Sequence, residues 1–89
     1  MAITRILGVN VSNRTEVAAA VQKVLTRYGC SIRTRLGIND LEEEGIQGAG
    51  GLIILELSGE PSEWEKMENE LRSIDKIEVN RMDFRRENV

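Results

Sequence analysis

The sequence predicts an α+β sandwich of order β-α-β-β-α-β, with two helices on one face of a four-stranded antiparallel sheet. Three observations predict it. Apolar residues alternate with period two in the first, second and fourth segments and run continuously through the third. Two intervening stretches repeat apolar residues at three- and four-residue spacing. At 89 residues, 40% hydrophobic and 30% charged, the chain has the size and composition of one globular domain. We place that domain at residues 1–84 and read residues 85–89 as a loose tail.

Each element has its own local reason. Ile3, Leu7, Val9 and Val11 share one parity, with Ile6 on the other, so the first strand is apolar on part of both faces. In "SNRTE", Asn13 is placed to cap a helix and Glu16 falls three residues later, as in a capping box. Val17, Val21, Val24, Leu25 and Tyr28 then line one helical face, and Gly29 ends it. A strand is expected from Cys30, with Cys30, Ile32, Thr34, Leu36 and Ile38 on the dry side. Arg33 and Arg35 then fall on the side facing away from the helices.

The connection "NDLEEEGIQGAG" is long for a hairpin. "GLIILEL" follows as a strand apolar on both faces, which in a small sheet marks a central position. Pro61 suits the first turn of a second helix. Trp64, Met67, Leu71 and Ile74 form its apolar stripe, while Glu63, Glu65, Glu68 and Glu70 are expected to face water. Glu68 and Arg72 are spaced to pair. Ile77 and Val79 open a fourth strand that runs to about Phe84.

This order is the ferredoxin-like, split-βαβ plan, with strand order 4-1-3-2. It puts the two strands that are apolar on both sides in the middle. It also leaves Ile6, Leu52, Ile54, Met82 and Phe84 on the face that the helices do not cover. A patch of that size exceeds what a soluble monomer ordinarily exposes, so a homodimer or homotetramer is expected through it.

Composition excludes several classes of function. The chain has no histidine, which removes the commonest general base and metal ligand; no enzyme, metal site or cofactor is expected. Net charge is −3 and uneven: residues 1–39 hold six basic side chains against one acid, residues 40–75 two against eleven. That dipole suits docking between subunits and argues against direct nucleic-acid binding. A single cysteine and no long apolar run fit a cytoplasmic protein that neither spans nor binds a membrane.

The glycines at 45, 48, 50 and 51 precede a strand, not a helix, and match no phosphate-loop spacing; they read as a connection. The acids at 40 and 42–44 lack calcium-loop spacing and read as a solvated loop. Cys30 and Trp64 read as core. Arg33 and Arg35 serve either subunit contacts or a carboxylate or phosphate clamp. Asn10, Asn13 and Arg14 occupy the first strand-to-helix turn, where local capping and an anion site are both open readings.

With the segments placed, "VNVSNRTEVAAAVQKVLTRYGCSIRTRLGI" and "GLIILELSG" resemble the family named as regulators of the iron-only hydrogenase system. Those proteins are ACT-like and similar to the C-terminal domain of the nickel-responsive regulator. The shared features are Asn13-Arg14, Tyr28-Gly29, the run Arg35 to Ile38 and the apolar third strand, over about Arg5 to Phe84. The resemblance implies a non-catalytic protein that senses a small ligand at a subunit interface, with a place in transcriptional regulation. ACT domains carry a glycine near the first helix start where this chain reads "SNRTE", so amino-acid binding does not carry over. The nickel site, built from His and Cys, is not inherited either. The alternative is an assembly module without a small ligand, binding a protein through the acidic second helix and the glycine-rich connection.

Overall fold

The computed structural model describes residues 2–11, 15–39 and 51–86. Its elements are β1 (Ile3–Val11), α1 (Thr15–Arg27), β2 (Ile32–Asn39), β3 (Gly51–Leu57), α2 (Pro61–Arg72) and β4 (Ile77–Arg85). The strands form one antiparallel sheet in the order β2-β3-β1-β4, which is the expected 4-1-3-2. The glycine cluster before Gly51, the acids at 40 and 42–44, Asn13 and Arg14 lie outside the described residues.

Alternation in β1 divides the sheet into two environments. Leu7, Val9 and Val11 point to the helices and are buried with Leu55, Leu57 and Val79. From α1 come Val17, Val21, Val24 and Leu25, and from α2 Trp64, Met67 and Leu71, completing one core. The helices therefore lie on one face, as their apolar stripes require. Their outer ends are joined by Glu70, which accepts hydrogen bonds from Tyr28 Oη and Arg27 Nη1. The Glu70 bond, first, holds the Tyr28 phenol above its ordinary pKa. Gly59 turns the chain into α2 with φ +79°, a left-handed geometry that disfavours a side chain. Trp64 Nε1 donates to the Ser58 carbonyl at 2.7 Å and fixes the same turn.

β2 departs from its expected register. Gly29–Ser31 forms a short 3₁₀ turn, so the strand starts at Ile32 rather than Cys30. Ile32 lies opposite Leu57, yet Thr34 lies opposite Glu56, an irregularity of one residue that reverses parity. Several placements change as a result. Thr34 lies opposite Glu56 on the open face rather than on the dry side. Cys30 is exposed, and Ser31 is the buried member of the turn. Leu36 is 54% exposed on the open face instead of joining the core. Arg35 falls opposite Leu55, on the helix side of the sheet, not the side facing away from it.

Two further differences concern the ends of the pattern. Glu68 is buried rather than solvated. Arg85 is not loose tail but the last residue of β4, paired with Ile3, and the Arg86 N–H donates to the Ala2 carbonyl at 3.0 Å.

Candidate functional site

The open face of the sheet is built by the second parity of each strand. Reading across it, Met82, Ile6, Glu56 and Thr34 form one row, and Asn80, Gly8, Ile54 and Leu36 the next. A third row holds Glu78, Asn10 and Leu52, and Phe84 lies beyond Met82 next to Thr4. The five residues expected on this face all occupy it. Among them Leu52, Met82 and Phe84 are exposed, as is Leu36, which the parity reversal adds. An apolar stripe thus crosses the sheet diagonally from Phe84 to Leu36. Thr34 Oγ1 donates to Glu56 Oε1 at 2.9 Å and closes one polar flank.

The other polar flank is hollow. Gly8 contributes no side chain, and a depression of about 350 Å³ opens there, lined by Gly8, Asn10, Leu52, Glu78 and Asn80. Of the three expected ligand residues that are described, Asn10, Arg33 and Arg35, only Asn10 belongs to it. Asn80 and Glu78 were not legible as site residues, because their place follows from the β1–β4 register and not from any motif.

At the opposite end of the sheet, Arg33 lines a second depression of about 410 Å³ with Arg5, Glu56, Ser58, Pro61 and Trp64. The expected ligand residues that are described are therefore separated: Asn10 and Arg33 stand at opposite ends of the sheet, and Arg35 faces the helix side. Arg33 and Arg35 do not form one clamp.

Beside that second depression is a charged cluster the sequence did not reveal. Arg5 Nε and Nη2 donate to Asp83 Oδ1 and Oδ2 at 2.7 and 3.0 Å, a bidentate pair. Its guanidinium carbon lies 5.5 Å from the centre of the Trp64 ring, in cation–π range. Its Nη1 lies 3.8 Å from Glu68 Oε1. Glu68 also meets Arg72 at 3.0 Å and Arg81 at 3.6 Å. The expected Glu68–Arg72 pair is thus present, embedded in a larger set. Three arginines from three elements explain why a carboxylate is buried on α2. The set ties α2 to β1 and β4, so it reads as structural.

The Arg5 hydrogen bonds outweigh desolvation and, with the weaker pull of the Arg5 and Arg81 charges, hold the Asp83 carboxyl below its ordinary pKa. A depressed folded-state pKa contributes stability above the unfolded value, near about 4 for Asp, and loses it as pH falls through the folded one. Denaturant titrations of the wild type and Asp83→Asn should therefore differ at pH 7 and converge below about pH 4. A gap that persists unchanged in acid would contradict this.

Among the described residues, no three His, Cys, Asp or Glu side chains gather as a metal site, and no helix is long and apolar enough to cross a membrane.

The sequence matches no protein-family model and no curated protein. Solved structures do share the architecture. The uncharacterized protein TM1266 from Thermotoga maritima superposes with a TM-score of 0.78 at 20% identity, over 94% of this chain and 100% of that one. A formyltetrahydrofolate deformylase from Pseudomonas putida gives 0.52 at 13% identity, over 89% of this chain but 28% of the enzyme. CPII from Thiomonas intermedia, bound to ADP, AMP and acetate, gives 0.52 at 11% identity over 94% and 90%. At these identities the likeness establishes the fold alone.

Proposed function

We propose that this chain is a non-catalytic regulatory protein of the cytoplasm. It self-associates through the open sheet face and senses a small ligand where the subunits meet. One observation carries the reading: a stripe of exposed apolar side chains lies beside a polar hollow on the only sheet face that the helices leave bare. Met82, Leu36 and Phe84 are each about half exposed, at 56%, 54% and 49%. Covering the exposed half of each contributes about 1 kcal/mol per side chain, counted twice in a symmetric dimer, before association costs. CPII is a fold neighbour with small molecules bound, which supports the ligand-sensing part. The resemblance of the "NR" turn and the Arg35–Ile38 run ties the reading to regulation of an iron-only hydrogenase system.

The alternative, an assembly module docking another protein through acidic α2, is less favoured by the structure. Glu70 is already engaged by Arg27 and Tyr28, and Glu63 by Lys66 at 3.0 Å.

Native mass spectrometry of gently purified protein tests the proposal. Expected are species at two or four times the 10.0 kDa chain mass, with a small adduct retained. A bare single-chain species would overturn the self-association, and a retained foreign protein would favour the alternative.

A further inference from the structure

The glycine at the centre of the open face is not demanded by the fold. Gly8 sits mid-strand between Ile54 and Asn80. Gly59, not Gly8, is the glycine with positive φ among the described residues. A Cβ on Gly8 would meet nothing closer than Ile54 Cδ1 at 3.9 Å and the Asn80 carbonyl at 4.0 Å, ordinary contact distances. Glycine weakens a strand interior and often marks close approach by a ligand or another backbone. Its effect here is the hollow itself. Around the rim, Asn10, Glu78 and Asn80 are exposed, and no hydrogen bond or ion pair engages their side chains among the described residues.

We propose that the Gly8 hollow binds a small amine, and that its occupation promotes self-association of the open face. The inference rests on the reading of that face as the subunit interface. Charge selects the ligand class. Among the described residues, the single ionisable side chain lining the hollow is Glu78, and none that lines it is basic. The neighbouring Arg81 belongs to the other face, where it meets Glu68. An anion would confront an uncompensated carboxylate. An ammonium group donates to Glu78 and to the side-chain carbonyls of Asn10 and Asn80, which accept in the same space. This departs from the carboxylate or phosphate clamp expected of Arg33 and Arg35, which lie elsewhere.

The same chemistry couples ligand to assembly. A second copy laid over this face strips water from Glu78, and an unpaired buried carboxylate opposes burial. An amine supplies the missing countercharge. Ligand and second copy then stabilise each other, because such coupling is reciprocal.

The test measures the self-association constant of the full chain by sedimentation with methylammonium or 1,4-diaminobutane. Acetate and inorganic phosphate at equal ionic strength serve as controls. The amines should tighten association by about tenfold or more, and the anions should not. Glu78→Gln should associate without amine as tightly as the wild type does with it, and should not respond further. Gly8→Val should keep a thermal midpoint at or above that of the wild type and lose the amine response. An amine response retained in both variants, or matched by the anions, overturns the proposal. An oligomer indifferent to amines overturns it too, while leaving the interface reading intact. A wild type that stays monomeric with and without amine overturns both.

Discussion

Ile54→Lys is expected to convert the assembled protein into a folded monomer. Ile54 sits on a central strand of the open face, beside Gly8 and opposite Leu36. In a lone subunit the substituted side chain reaches water, because its aliphatic stem lies along the sheet and its ammonium projects from it. Under a second copy the same ammonium is buried without a partner, which costs several kcal/mol and shifts association by about a hundredfold or more. Met82→Lys makes the same test on an edge strand, at a residue 56% exposed in the monomer, where folding has little to lose. Light scattering should report single-chain mass for both variants at concentrations where the wild type is larger. Circular dichroism should show the fold retained. Variants that assemble like the wild type would remove the open face from consideration as the interface.

Arg5→Met is expected to destabilise the fold by about 2–3 kcal/mol in urea. Arg5 is 12% exposed at its side chain and Glu68 is 9% exposed, so truncating the arginine leaves a buried carboxylate short of one partner. Asp83 loses its bidentate donor, and Trp64 its cation. The loss is smaller than for an isolated buried pair, because Arg72 and Arg81 remain beside Glu68. The companion variant decides the cause. Combining Arg5→Met with Glu68→Leu removes both charges and should recover much of the lost stability, since an apolar replacement no longer leaves an unpaired ion. Strictly additive losses would mean that packing on Trp64, not charge, is what Arg5 supplies.

Where a pattern depends on neighbours along the chain, the sequence carries it. The faces of α1 and α2, the two-sided character of β1 and β3, and hence the strand order follow from apolar spacing alone. So do the open-face positions of Ile6, Leu52, Ile54, Met82 and Phe84, because β1, β3 and β4 keep regular alternation. β2 does not. Its 3₁₀ turn and the irregularity between Ile32 and Thr34 leave no mark in a run that reads as uninterrupted period two, so spacing alone puts Cys30, Thr34, Leu36 and Arg35 on the wrong sides. Spacing puts Glu68 in solvent for a different reason. Its burial is sustained by Arg5 and Arg81, 63 and 13 positions away, which chain-local spacing cannot bring together. The hollow follows the same logic: Asn10 stands out near a turn, but Glu78 and Asn80 join it only through the pairing of β1 with β4.

Sedimentation equilibrium of the wild-type chain at micromolar concentration tests the account most directly. It predicts a mass at twice or four times 10.0 kDa, falling on dilution; a single 10.0 kDa species throughout, with Met82 and Phe84 in contact only with water, would contradict it.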